Sequence, residues 1–311
     1  MKLYAHRGYS AKYPENTLLA FQKAVEAGCD GIELDVHFSR DHKLVIIHDD
    51  SLSRTIDAVG FVRHHTLRDL QNYTVKGAYE GEPQKMLTLA EYLEWAKELP
   101  IVTNIELKND RFHYPGMEEA VVRMVQEYGV EDKVFLSSFR SESIELIKNR
   151  WPKIRCGWLV DEIKDDTMER LQEIHADYLH PSLRLVTPQL VQCCHEAGYR
   201  LHVYTVNSDD DIEYMKELGV DGIFTNYMER AREVLGLQPT DYTLREAKMA
   251  QEAVENPKKL SAKDRLQLSK RAGRFSGGIF SIIVFIIISI LTAVLVSKIV
   301  MGLIGRFFPG L

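Results

Sequence analysis

The sequence predicts an α/β protein: a (β/α)₈ TIM barrel with a small insertion, plus a C-terminal transmembrane helix. Three observations lead there. Short apolar runs alternate with helix-patterned segments about eight times within residues 1–236. That rhythm breaks once, over about residues 49–86. Residues 277–296 then run for 20 positions without a charge. An open, doubly wound sheet is the competing arrangement for the first part, because periodicity alone does not separate two parallel folds.

The apolar runs fall at 3–5, 31–36, 44–47, 101–107, 134–136, 155–159, 176–179, 201–204 and 222–224. Most are too short for helices and read as buried strands. Helical segments lie between most of them. The first spans 17–27, with Asn16 as the expected N-cap and Gly28 as the stop. The next, 89–99, follows Thr88 and ends before Pro100. Those at 141–149 and 209–218 open on capping residues, and Gly219 ends the second. Residues 49–86 offer no clean strand–helix unit and carry Gly60, Gly77, Gly81 and Pro83. They are expected to sit over one end of the barrel, either shaping access to it or as a plain surface excursion.

Past the barrel, 237–274 reads as a basic juxtamembrane linker punctuated by Pro239 and Pro257. Residues 275–304 read as the transmembrane helix and 305–311 as a short tail. About 20 apolar residues cross the hydrocarbon layer, and this run is apolar all round, where a buried soluble helix would be amphipathic. Lys258, Lys259, Lys263, Arg265, Lys270, Arg271 and Arg274 precede the span; Lys298 and Arg306 lie at its far end. That basic excess predicts a single-pass protein with the barrel on the cytoplasmic side. The opening MKLYAHRG has no apolar h-region. Cys29, Cys156, Cys193 and Cys194 show no metal-finger spacing and read as reduced thiols. No feature fixes an oligomeric state.

The net charge of −6 hides an asymmetry. Residues 237–311 hold 11 Lys/Arg and 5 Asp/Glu, which leaves 28 basic and 40 acidic residues in the first part. An acidic barrel is not built for bulk attraction to nucleic acid. It can still take a phosphate ester if a divalent cation bridges the two.

Four clusters close predicted strands: Ala5-His6-Arg7-Gly8, Gly31-Ile32-Glu33-Leu34-Asp35-Val36, Val45-Ile46-Ile47-His48-Asp49 and Asn104-Ile105-Glu106-Leu107-Lys108. In a barrel, the C-terminal strand ends build one mouth. Glu33 and Asp35 are two apart and share a face of their strand, while Ile32, Leu34 and Val36 share the other. Glu106 repeats the pattern between Ile105 and Leu107. Inward carboxylates repel unless paired, and a divalent cation removes that penalty. Three carboxylates suit Mg²⁺ or Ca²⁺. His6 and His48 are candidate acid and base. Arg7 and Lys108 are candidate phosphate contacts. Gly8 either lets backbone approach a ligand or only makes a turn. The other nine histidines read as structural or surface residues.

His6-Arg7-Gly8, Pro14-Glu15-Asn16-Thr17, Glu33-Leu34-Asp35-Val36, His48-Asp49 and Glu106-Leu107-Lys108 together resemble the glycerophosphodiester phosphodiesterase family. The resemblance extends to Leu52-Ser53-Arg54-Thr55, Ser138-Phe139, Val203-Tyr204-Thr205-Val206-Asn207 and Val220-Asp221-Gly222-Ile223-Phe224-Thr225-Asn226, in family order over about 1–230. It implies a (β/α)₈ barrel that hydrolyses glycerophosphodiesters to sn-glycerol 3-phosphate and an alcohol. It implies Glu33, Asp35 and Glu106 as ligands of Mg²⁺ or Ca²⁺, and His6 and His48 as the acid–base pair. It implies phosphate or substrate contacts by Arg7 and Lys108, with Glu15 and Asn16 as supporting residues near the mouth. Tyr204 stands where the family often has Trp, and Met86 where Pro often precedes Thr-Leu. A bilayer lysophospholipid, cleaved by lysophospholipase D action, is the alternative to a small soluble diester. A membrane-anchored scaffold on a retired barrel and a phosphoinositide-specific phospholipase C-like barrel are rival readings; the intact acids and histidines oppose the first, the HRG and ELD motifs the second.

Overall fold

The computed structural model describes residues 1–77, 79 and 81–238. The expected transmembrane helix and tail lie outside these residues, as does the linker beyond residue 238. Among the described residues no helix is long and apolar enough to cross a membrane.

Among the described residues nine strands form, one for each apolar run: β1 (Lys2–His6), β2 (Gly31–Phe38), β3 (Leu44–Ile46), β4 (Val102–Leu107), β5 (Val134–Ser138), β6 (Arg155–Val160), β7 (Tyr178–Pro181), β8 (Arg200–Val203) and β9 (Gly222–Thr225). They pair in the order β1-β9-β8-β7-β6-β5-β4-β2, and β2 returns to β1, so the parallel sheet closes on itself. This is the barrel rather than the open sheet. The remaining strand, β3, runs antiparallel to β2 outside the closed ring.

Helices pack outside the ring. The one at Leu18–Glu26 corrects the expected cap: Thr17, in extended conformation, accepts from Ala20 N through its side chain. Asn16 is instead left-handed (φ 57°), and its amide turns toward the mouth. Leu89–Ala96 opens on a capping box of Thr88 and Glu91. Asp209–Leu218 opens on Ser208, carries Asp209, Asp210 and Asp211 in its first turn, and closes on Gly219.

Alternation decides which side of each strand is greasy. Ile32, Leu34 and Val36 point outward into the main core with Phe21 and Tyr92. Glu33 and Asp35 therefore face the barrel interior. A separate interior cluster of Tyr4, Phe135, Tyr178 and Phe224 plugs the deeper part. Fully burying one such side chain contributes ~1.5–3 kcal/mol, so the plug gives the mouth a rigid floor. Residues after β3 have their own small core, in which Leu52, Ile56, Val62, Leu70 and Val75 pack with Val45 and Ile47. Met86 fills this core, 3% exposed, which gives the departure at that position a packing role.

Candidate active site

Strand register brings the acids together. His6 pairs with Glu33 across β1 and β2, and Asp35 pairs with Glu106 across β2 and β4. One oxygen from each of Glu33, Asp35 and Glu106 lies within 4.8 Å of the other two, and all three residues are buried. Glu33 Oε1 and Asp35 Oδ1 make no hydrogen bond despite burial. Three buried carboxylates so close repel strongly. Burial, then Asp35 and Glu106, pushes the Glu33 carboxyl well above its ordinary range. Burial pushes Glu106 up as well, against the pull of Lys108. Asp35 also suffers burial, but His48, Arg7, Lys108 and the Asn16 amide outweigh it and hold its carboxyl below the usual range. The cluster is short of positive charge. Its donors are all hard oxygens, two of them unsatisfied, and these residues fit a divalent cation such as Mg²⁺ or Ca²⁺.

The loop after β1 supplies Arg7 in left-handed conformation (φ 58°), a strained choice for a side-chain-bearing residue that is most often met at functional sites. Its backbone N–H donates to Glu33 Oε2 at 2.8 Å, and its guanidinium contacts Glu15 Oε1 at 3.0 Å and Asp35 Oδ2 at 3.5 Å. Asn16 Nδ2 donates to Asp35 Oδ2 at 2.8 Å. Gly8 next door serves the turn: at φ 78°, a Cβ there would lie 2.7 Å from the Ala20 backbone.

The two imidazoles sit differently. His6 Nδ1 lies 2.7 Å from Asn226 Oδ1, so that nitrogen carries the proton. Burial, then Arg7, lowers its pKa to about 4. His48 Nδ1 is held at 2.7 Å by Asp49 Oδ1, and its Nε2 lies 3.3 Å from Lys108 Nζ. Lys108 also donates to Glu106 Oε1 at 2.7 Å and stands 3.9 Å from Asp35 Oδ1. Eight of the nine residues singled out in the sequence thus join one network at the mouth, and the ninth, His6, lines the same cavity with its ring bonded to Asn226. A cavity of about 210 Å³ is lined by His6, Arg7, Glu33, His48, Glu106 and Lys108, with Tyr204 and Phe139 as aromatic walls.

Sequence reasoning missed three contributors. Asn226 sets the His6 tautomer from the end of β9, and its strand-end position was the available signal. Asp49 backs His48. Arg54 donates twice to Asp49 (2.6 and 2.9 Å) and twice to Glu15 (both 2.8 Å), so it ties the His48 side of the mouth to the Arg7 side. Arg54 sits in a motif already visible, but its partners lie 5 and 39 residues away, which no local pattern reveals. His37, read as structural or surface, braces the back of the site: its Nε2 lies 3.1 Å from the His48 carbonyl oxygen.

A sequence model of the Glycerophosphoryl diester phosphodiesterase family matches residues 6–230. A glycerophosphodiester phosphodiesterase of Bacillus altitudinis is 37% identical over 235 residues, covering 74% of this chain and 96% of the relative. One from Caldanaerobacter subterraneus is 36% identical over 224 residues, covering 71% and 92%. Among solved structures, an Oleispira antarctica phosphodiesterase in complex with the product sn-glycerol-3-phosphate superposes with a TM-score of 0.70. It is 30% identical, over 76% of this chain and 97% of that one.

Proposed function

The chain belongs to the glycerophosphoryl diester phosphodiesterase family, a family of phosphoric diester hydrolases, and from that premise we propose how its mouth works. Its reaction is hydrolysis of a glycerophosphodiester; in our reading the products are sn-glycerol 3-phosphate and an alcohol. The observation that carries the mechanism is the approach of Glu33, Asp35 and Glu106 to within 4.8 Å of one another, beside two imidazoles and two fixed cations.

Glu33, Asp35 and Glu106 would hold Mg²⁺ or Ca²⁺, which when bound supplies Lewis-acid polarisation of a phosphate oxygen. The chain's own side chains do the rest. Arg7 and Lys108 hold phosphate oxygens and neutralise developing charge. His6 keeps its proton on Nδ1 toward Asn226, so Nε2 offers a lone pair to take a proton from water or from a glycerol hydroxyl. A glycerol hydroxyl as nucleophile gives a cyclic phosphate that water then opens. His48, oriented by Asp49 at its Nδ1, gives a proton to the leaving alcohol. Lys108 lies close to the His48 nitrogen that must do so, and drawing the lysine onto phosphate clears that position. Glu15 holds Arg7, and Asn16 holds Asp35.

We place the barrel at the cytoplasmic face of a membrane, held by a span over 275–304 behind the basic linker 237–274. Small soluble diesters are its primary substrates. The test uses the full chain in detergent with glycerophosphocholine, following release of sn-glycerol 3-phosphate with EDTA and after return of Mg²⁺ or Ca²⁺. Activity lost with chelator and restored by one of these ions supports the metal reading. Full activity in EDTA rejects it. Adding a lyso-chain to the same headgroup decides whether bilayer lysolipids are also cleaved.

A further inference from the structure

The mouth cavity, about 210 Å³, is smaller than the ~300–1,000 Å³ usual for a ligand pocket. A whole diester has to extend beyond it. A wider groove of about 550 Å³ adjoins it and shares the walls made by Phe139 and Leu159. We propose that this groove receives the leaving alcohol and selects one that carries an ammonium group. The proposal rests on the phosphodiesterase reading above and names the class of headgroup.

The path comes from geometry. Lys108 Nζ, the proposed phosphate contact, lies 5.9 Å from the centre of the Phe139 ring. An alcohol leaving that phosphate toward the groove passes the ring. Trp158 comes next: its indole N–H donates to the Phe139 carbonyl oxygen at 3.3 Å, which fixes one aromatic residue against the other. Tyr204, on the mouth-cavity side, stands edge-on to Phe139 at 6.0 Å, with its hydroxyl donating to the Val160 carbonyl oxygen.

The selectivity comes from charge. Of the groove's basic residues, Arg170 is paired with Glu145 at 2.7 Å and Glu173 at 3.1 Å, and Lys164 lies 3.6 Å from Glu162. Asp110, Asp161 and Asp166 also line the groove, and none has an ion pair among the described residues. Aromatic side chains beside carboxylates that hold no ion pair suit a cation whose charge is spread over methyl or methylene groups. An anionic headgroup meets repulsion there, and a neutral one gains no electrostatic attraction.

The test compares two glycerophosphodiesters of one shape. One carries choline as the alcohol, and the other carries 3,3-dimethylbutanol, in which carbon replaces the charged nitrogen. The full-length protein should favour the choline diester about tenfold in kcat/KM, the scale of one partly desolvated ammonium–ring contact. Asp161→Asn and Trp158→Leu should each shrink that preference several-fold, and a circular-dichroism melt matching the wild type's reports that each variant is folded. A remote control, Glu127→Gln, should leave the preference intact and so separate the groove from the barrel's general acidity. Equal kcat/KM for the two diesters, or a preference unmoved by both groove variants, overturns the proposal. Failure to cleave either diester, or glycerophosphoglycerol, would instead sink the phosphodiesterase reading itself.

Discussion

The barrel interior buries ionisable side chains at two depths and treats them in opposite ways. At the mouth, Asp35 keeps its charge in full burial because Arg7, Lys108 and His48 surround it. Deeper, His180 and His202 are just as buried, but their neighbours are the rings of Tyr178, Phe135 and Phe224. The two imidazole centroids lie 5.2 Å apart, and His180 Nδ1, His180 Nε2 and His202 Nδ1 make no hydrogen bond. Burial drives His180 well below its ordinary pKa and His202 down to about 3. Burial alone does not assign a function. Opposite charge keeps Asp35 ionised at the mouth, whereas burial outweighs it at the deeper histidines, which serve as neutral packing. Gly157 belongs to that packing, since a Cβ there would lie 2.4 Å from the His180 ring.

The largest effect should come from the acids. Glu33→Gln should lower turnover by about 10⁴-fold, as expected when several kcal/mol of metal assistance is lost. Its metal-free stability should not fall, because one repelling charge is gone while an acceptor for the Arg7 N–H stays. A drop in both would mean that the acid is structural. His48→Ala should lower turnover by about 10²–10⁴-fold with metal binding near normal; comparable turnover would remove it from acid–base work. Arg54→Ala should cost about 10–100-fold by loosening His48 and Arg7 together. The Arg54 side chain is 46% exposed, so added guanidinium should restore part of the rate, and no rescue would count against a positioning role.

At the deeper site the expected signs reverse. His180→Leu should leave turnover within about twofold and raise stability, since an unsatisfied buried polar group costs ~1–3 kcal/mol. Lost activity with unchanged stability would merge the two sites. The remaining effect is on pH dependence. His202 binds its proton less readily folded (about 3) than at its ordinary 6.5, so the unfolded chain takes up more protons between those values. Stability should therefore fall as pH drops from about 6.5 toward 3, by up to about 1.4 kcal/mol per pH unit for each such imidazole. Asp221 opposes this shift, while Arg200 and Arg155 add to it. Denaturant melts of wild type and His202→Leu across this range measure it, and parallel curves would show that His202 is not neutral when folded.

Much of the mouth was legible in the sequence because it is built from strand ends. Alternation along β2 put Glu33 and Asp35 on one face, and barrel closure brings strand ends together. Non-local details were not legible. Asn16 looked like a cap because it precedes a helix; its left-handed backbone, which hands capping to Thr17 and frees the amide for Asp35, depends on the fold of the mouth. Arg54 gave no sign of its bridge to Glu15. His180 and His202 read as unremarkable because the rings that neutralise them come from β1, β5, β7 and β9 together. The ninth apolar run looked like any other strand, and only pairing shows β3 turning back against β2.

Isothermal titration of Mg²⁺ and of Ca²⁺ into chelator-treated protein, beside Glu33→Gln, probes the acids most directly. The account predicts that one of these ions binds at a single site per chain and that the variant loses that site. Undiminished binding by the variant, or no binding by a wild-type protein that still hydrolyses glycerophosphocholine, would contradict it.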